Sequence, residues 1–452
     1  MADVADTSTI TTSADTPPAS GQPRLSPWRQ AALSLYWFST QAQWTALLLI
    51  LLPKQAELIG GPALKGTTLG QIVLAGALVS MVAAPFFGAW SDRIRTRWGR
   101  RKPCIVYGTL GNVLGLVLMA NIPAVPSALV PYILVFIWIE LLSNVASAPY
   151  SALIPDVVPA DQRGSASGWM GLMFMLGNFA GGICGLALGV IGGISGVYYL
   201  LAGLMLLGML GTVLFVNEPT PPPVPPFDLR AFGRGLITPF QASDFRWVFL
   251  TRFLVMLGIF TVQEFLQYYM KDIVAGGQEP FHFHLFGKVV ADTPQGATSY
   301  FVLMLLIGAI VTSFYAGVLS DRYGRKRMVY LSGALQGAVA ICFLLTGNFT
   351  AVVLLGLIFG LGYGAYQAVD WALVTDVLPS AEDHAKDMGL WHIAVTLPQV
   401  TAAPIAGVLL DNFQRVGHAH NFANLGYTVI YVLAFVYFML GTVLVRKIKG
   451  AK

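Results

Sequence analysis

Five ionisable side chains stand within long apolar stretches: Glu140, Arg252, Glu264, Asp370 and His392. At membrane depth such a residue costs roughly 2.5–3.5 kcal/mol, so it is a functional candidate by default. A buried carboxylate can take a proton at one face and release it at the other, which makes Glu264, Asp370 and Glu140 the candidate proton-coupling residues. Amides and aromatics accompany them at helical spacing. Trp37, Gln41 and Trp44 form one stripe, with Gln43 adjacent. Gln263 and Gln267 form another beside Glu264 and Tyr268. Tyr363, Gln367 and Asp370 share a face next to Trp371, and His392, Thr396 and Gln399 align likewise. This inventory suits a sugar, whose hydroxyls take paired polar bonds and whose C–H faces stack on aromatic rings. It also fits a nucleoside or another polar metabolite. Gln and His can instead stitch helices together, and Arg252, about two turns from a helix end, can snorkel.

The elements that position these residues are membrane spans. The chain has 452 residues, of which 56% are apolar and only 11% charged, against roughly 25% charged in a soluble domain. That excludes a soluble enzyme, a disordered chain and a disulfide scaffold. Charge-free runs such as Gly66–Ser91, Gly164–Asn217 and Met328–Val369 are long enough for one or two helices of about 20 residues each. Alternating barrel strands are absent. The reading is an all-α membrane protein of about twelve transmembrane helices in two pseudo-symmetric six-helix bundles. Residues 1–27 read as a disordered cytoplasmic tail, 28–217 as the first bundle, 218–244 as a Pro-rich linker, 245–446 as the second bundle and 447–452 as a second tail.

The net charge of +5 follows topology rather than nucleic-acid binding. Outside the spans, the basic residues gather on the face of the termini, leaving Lys54, Lys65, Lys271, Lys288 and Arg415 on the other. The positive-inside rule then puts both termini in the cytoplasm. Cys104, Cys184 and Cys342 show neither metal spacing nor a disulfide framework. His282 and His284 lie two apart in a Phe-rich loop, where a solvent- or lipid-facing role outweighs a metal site. No P-loop, nucleophile elbow or HExxH motif occurs, so neither ATP-driven transport nor hydrolysis is expected.

The halves repeat. Ala152-Leu153-Ile154-Pro155-Asp156-Val157-Val158-Pro159 matches Ala372-Leu373-Val374-Thr375-Asp376-Val377-Leu378-Pro379, and Gly88-Ala89-Trp90-Ser91-Asp92-Arg93 matches Gly317-Val318-Leu319-Ser320-Asp321-Arg322. Parallel repeats related by an axis along the membrane normal place a substrate site between the halves near the midplane. An Asp at a helix mouth can accept bonds from loop Arg residues and from a facing helix N-terminus. Gly88, Asp92, Arg93, Gly99, Arg100, Arg101, Asp156, Gly317, Asp321, Arg322, Gly324, Arg325 and Asp376 are therefore expected to form a gate at the terminal face. Such a gate would hold the halves together there and favour the state open at the opposite face. Arg95 and Arg97 either join it or only anchor topology.

Asp321-Arg322-Tyr323-Gly324-Arg325-Lys326 resembles the loop signature of the major facilitator superfamily. The stretched form Asp92-Arg93-Ile94-Arg95-Thr96-Arg97-Trp98-Gly99-Arg100-Arg101-Lys102-Pro103 resembles its sucrose and glycoside–cation symporter branch, as do Gln43-Trp44, Gly177-Asn178, Ala385 to Trp391 and Pro398-Gln399. The chain departs from the plant pattern at Ser151, where that pattern has Arg, so sucrose itself is not implied. The resemblance implies a secondary transporter, not an enzyme. It would be a monomer in the cell membrane that moves a small polar solute by alternating access, with a proton or sodium as coupling ion and no cofactor or resident metal. Proton-antiport efflux of an amphipathic compound and a non-transporting receptor or assembly role remain as alternatives.

Overall fold

The computed structural model describes residues 24–159, 162–216, 218, 238–375 and 384–449. Eleven of its helices among the described residues are long and apolar enough to cross a membrane. The first span is more polar and broken: Pro27–Ala46, a π turn at Leu47–Leu51, then Leu52–Gly60. The others are Lys65–Ser91, Lys102–Asn121, Leu129–Ser151, Arg163–Gly182 with Cys184–Ala187, and Gly193–Phe215. After the linker come Ser243–Tyr269, Pro294–Tyr323, Arg325–Leu345, Phe349–Thr375, His384–Ala419 and Leu425–Leu444. We number them spans one to twelve. A hairpin of β1 (Phe283–Leu285) and β2 (Lys288–Ala291) lies between spans seven and eight.

The packing repeats with the sequence. Span one packs on five and six, two on four, and three on four and six. In the second half, seven packs on eleven and twelve, eight on ten, and nine on ten and twelve. Each pair thus recurs six spans later, as a duplicated bundle requires. The bundles meet chiefly through two against eleven and five against eight, a pair of contacts that the same operation exchanges. Spans one and seven also carry π turns at the same end, Leu47–Leu51 and Met270–Val274. Exposed apolar side chains such as Leu78, Val82, Leu114, Leu207 and Leu214 give the bundles an outer surface suited to acyl chains.

At the end opposite the termini, the distal end, the two bundles touch backbone to backbone. A Cβ on Gly407 would lie 2.1 Å from the Gly66 carbonyl oxygen, and one on Gly66 2.8 Å from the Gly407 oxygen. Only glycine permits two helix backbones to touch so.

Three boundaries differ from expectation. Span seven begins at Ser243. Glu218 belongs with the first bundle rather than the linker, since its carboxylate accepts the backbone N–H groups of Arg100, Arg101 and Lys102 at 2.7–2.9 Å. Residues 447–449 pack on the second bundle: Ile448 is buried and the Lys449 N–H donates to Asp244. The first 23 residues and most of the linker lie outside the described residues.

Candidate functional site

Span seven has the richest polar face. Glu264 is 2% exposed, and neither carboxylate oxygen has a hydrogen-bond partner among the described residues. One turn further on, the same face carries Gln267 and Tyr268, and both of these reach the first bundle. The Tyr268 hydroxyl donates to the Pro53 carbonyl at 2.8 Å and lies 3.2 Å from that of Lys65. Pro53 has no N–H to give the carbonyl of Leu49, four residues earlier, and the π turn disturbs the neighbouring bonds. The Gln267 amide repairs the break. The amide orientation is assigned from its neighbours: with its nitrogen toward span one it donates to the Ile50 and Leu49 carbonyls at 2.9 and 3.2 Å and accepts from the Lys54 N–H and the Gln295 side chain. Gln267 and Tyr268, expected to line the substrate cavity, instead seal its distal end. Every polar atom they offer is committed there, which corrects that assignment.

Charge pairs complete the seal. The Lys271 ammonium lies 2.5 Å from Glu57, and Lys65 pairs with Asp272, which also accepts from the Tyr427 hydroxyl at 2.6 Å. Lys65 stands 4.9 Å from the centre of the Tyr268 ring, in cation–π range. Asp411 of span eleven accepts from the Gly66 and Thr67 N–H groups at 3.2 and 2.6 Å. A carboxylate at a helix N-terminus is favoured by the helix dipole, by up to about 2 kcal/mol when partly buried. Sequence reasoning read Lys54, Lys65 and Lys271 as topological charges and missed Glu57, Asp272 and Asp411. The available signal was Pro53 in a helix beside basic and acidic residues at span ends.

Below the seal, several aromatic and amide side chains are half-buried: Trp37, Gln41, Trp44, Gln263, Tyr363, Gln367 and Gln399. Trp37 packs near Tyr150 and Phe174, and Trp44 near Phe136. The Gln367 amide donates to the Tyr363 hydroxyl at 3.2 Å. Gln43 does not belong to this set. Its amide and that of Asn112 exchange two hydrogen bonds at 2.9 and 3.3 Å, both residues fully buried between spans one and three. It is a stitch inside the first bundle, which corrects its assignment to substrate binding. The side chains of Trp371 and His392 lie outside the described residues.

The three acids differ in what holds them. Asp370 forms an ion pair with Arg252 and a hydrogen bond with Tyr366, and the paired side chains are 2% and 4% exposed. Arg252 is therefore held between helices rather than snorkelling. Glu140 is half-buried beside Gly76, where it hydrogen-bonds Ser80, while the Asn144 amide donates to Ser80 and to the Glu140 carbonyl, each at 2.8 Å. Glu264 alone of the three has no such partner.

At the terminal face, Arg101 lies 2.6 Å from Asp92 and 3.0 Å from Asp156, and it donates to Ser91. Arg100 lies 2.7 Å from Asp156 and 3.8 Å from Asp92. These pairs staple spans two, three and four of one bundle, and none of them crosses to the other. Arg100 and Arg101 turn back under their own bundle at the start of span three. A clamp between the halves is expected in the opposite state, open at the distal face, and stays a proposal. Arg93 donates to the Ala89 carbonyl at 2.5 Å. Gly99 and Gly324 have φ of +106° and +89° and make the turns into spans three and nine. A Cβ on Gly88 would meet only Ala148, 4.0 Å away. Arg322 is exposed and Arg325 half-buried. Gly317 lies in span eight, but the surroundings of Gly317 and Asp321 are outside the described residues, as is Asp376.

The comparisons with known proteins agree with this architecture. A bacterial homologue of the lysosomal transporter Spinster, in an inward-facing state, superposes with a TM-score of 0.66 at 14% identity, over 94% of this chain and 99% of its own. A peptide transporter of the POT type gives 0.67 at 17% identity, over 95% and 98%. In sequence, the chain is 24% identical to the multidrug efflux pump PmrA of Streptococcus pneumoniae, over 69% of this chain and 72% of the pump. It is 33% identical to the general alpha-glucoside permease of Schizosaccharomyces pombe over a shorter stretch, 25% of this chain and 23% of the permease. The MFS transporter asaE of Aspergillus flavus matches at 27% over 47% of this chain, which spans 43% of that relative's length. Residues 63–445 match the model of one family along nearly the whole paired-bundle region. The chain is accordingly a multi-pass membrane transporter of the major facilitator type, and it belongs to the MFS/sugar transport protein family.

Proposed function

We propose that this chain is a proton-coupled symporter that carries a sugar or glycoside into the cell across the plasma or inner membrane. The distribution of Lys and Arg supports a cytoplasmic terminal face, so the distal seal is the extracellular gate and the described state is closed to the outside. The substrate would sit between the bundles below that seal, against Trp37, Gln41, Trp44, Gln263, Tyr363, Gln367 and Gln399. Trp371 and His392 are proposed beside them from sequence alone.

One observation carries the coupling: among the described residues Glu264 is a buried carboxylate without a hydrogen-bond partner, one turn beneath two residues that close the gate. A carboxyl in that place sits directly under the gate, where gate movement would open or close its access to the outside. Release of its proton toward the cytoplasm would follow substrate exit. Asp370 is the weaker carrier, because a proton on it would deprive the buried Arg252 of its carboxylate. Glu140, with Ser80 and Asn144 beside it, offers oxygen atoms that also suit sodium.

Purified protein in liposomes tests this reading. An imposed inward proton gradient should drive solute accumulation, and Glu264→Gln should abolish accumulation while sparing exchange at equal pH. Accumulation unchanged in Glu264→Gln rules out that carrier. The second reading, efflux of an amphipathic compound, draws on the similarity to PmrA, which spans far more of the chain than that to the glucoside permease. Outward, gradient-driven movement of a lipophilic dye would favour it.

A further inference from the structure

The two loops that begin with Ser-Asp-Arg are unequal. Six residues separate Asp92 from Gly99, whereas two separate Asp321 from Gly324. The longer loop is folded into a tight turn. Thr96 and Gly99 form an isolated bridge, and the Thr96 hydroxyl donates to the Gly99 carbonyl at 2.6 Å and accepts from the Trp98 N–H at 3.2 Å. The turn makes no use of Arg97 or Trp98 in the Asp92–Asp156 staple, which Arg100 and Arg101 supply. Instead it presents both outward, with Trp98 61% exposed.

They open onto a cavity of about 420 Å³ lined by Arg97, Trp98, Gly99, Lys102, Val213 and Glu218. Val213 comes from the last turn of span six and Lys102 from the first of span three, so the cavity lies where two spans leave the membrane. The Glu218 carboxylate does not oppose an anion there in full. It is turned onto the N–H groups of Arg100, Arg101 and Lys102, which offset its charge. Next to Val213 on the same helix end, Phe215 packs edge-on against Trp28 at 5.0 Å, with Arg29 over the Trp28 ring at 5.6 Å. Basic side chains with exposed indoles at a span end are the pattern of a headgroup zone.

We propose that the Arg97–Trp98–Lys102 cavity binds the phosphate of an anionic phospholipid in the leaflet at the terminal face. Arg97 and Lys102 face the phosphate, the Trp98 indole lies at headgroup depth, and the Val213 wall guides the first acyl methylenes. The second repeat keeps Arg322-Tyr323 at the matching positions before Gly324, and what the longer loop of the first repeat adds is the Thr96 turn that holds Arg97 and Trp98 over this cavity. The inference is independent of substrate and direction of transport.

The test is native mass spectrometry of the full-length chain with phosphatidylglycerol, phosphatidylcholine and soluble glycerol phosphate as probes. Phosphatidylglycerol should be retained over phosphatidylcholine. Each basic residue near an anionic surface contributes about fivefold in affinity, so Arg97→Gln with Lys102→Gln should weaken retention roughly 25-fold. Arg97→Lys should keep most of it, and Arg446→Gln, outside the cavity, all of it. Trp98→Phe should remove the fluorescence quenching that brominated phosphatidylglycerol causes at this position. Equal retention of the two lipids, undiminished retention in the double variant, or equal competition by glycerol phosphate would overturn the proposal. Monodisperse elution of each variant separates loss of the site from loss of the fold.

Discussion

The Lys271 ammonium sits 2.5 Å from the Glu57 carboxylate, one partner on the π turn of span seven and the other just past the π turn of span one. Each bundle thus contributes one charge to a contact near the π turn of its first span. Glu57 is nearly buried and Lys271 about one-fifth exposed, so solvent screens the pair only in part. Removal of one partner leaves the other charge poorly solvated, at a cost of about 1–3 kcal/mol. Glu57→Gln should therefore shift the protein toward the state open at the distal face. With the native cysteines replaced and Gln263→Cys as reporter, a membrane-impermeant thiol reagent should label it about tenfold faster. An unchanged labelling rate would show that the pair does not hold the gate.

The backbone contact between Gly66 and Gly407 allows a sharper test. A methyl group at residue 407 would lie 2.1 Å from the Gly66 oxygen, and a backbone atom cannot rotate aside. Gly407→Ala should prevent distal closure and nearly abolish transport, while the bundles themselves stay folded. Gly171→Ala is the control, since nothing lies within 4 Å of its added Cβ. The measurement is the same thiol labelling beside solute uptake. Normal uptake in Gly407→Ala would mean that the helices do not approach so closely in the working cycle.

Much of this architecture is readable from residue order alone, and the limit of that reading is instructive. Apolar runs and repeated Ser-Asp-Arg and Ala-Leu stretches imply paired six-helix bundles, because they reflect burial in lipid and duplication, both of which leave linear traces. Glu264 and Asp370 stand out for the same reason, as charges in apolar surroundings. Partners do not leave such traces. Gln43 and Gln41 look alike in one stripe, yet only Gln43 meets Asn112, a contact set by how spans one and three rotate about their axes. Arg100 and Arg101 belong to a recognisable loop, but the direction in which they turn decides whether they join two bundles or three helices of one. Lys65 and Lys271 obey a topological rule and also close a gate, so the first explanation hides the second.

The Gln43–Asn112 pair predicts a distinctive stability pattern. Gln43→Leu would leave the Asn112 amide buried and unsatisfied, at about 1–3 kcal/mol, whereas replacing both amides with apolar residues of similar shape can be nearly neutral. Thermal unfolding should show a clear loss for Gln43→Leu and substantial recovery in Gln43→Leu/Asn112→Leu. Solute affinity should be unchanged in the double variant. A loss of affinity without a loss of stability would return Gln43 to the substrate site.

Arg252 and Asp370 should follow the same logic at a higher energy. Breaking a buried ion pair by neutralising one partner costs about 3–5 kcal/mol, because an uncompensated charge stays behind. Asp370→Asn alone should therefore fold poorly, and Arg252→Gln/Asp370→Asn should recover much of the stability. The recovered double variant then separates structure from coupling. With Glu264 intact, it should still accumulate solute against its gradient under an imposed proton gradient. Loss of accumulation with exchange retained would move the carrier from Glu264 to Asp370, since the pair would then have been needed for the proton rather than for the fold.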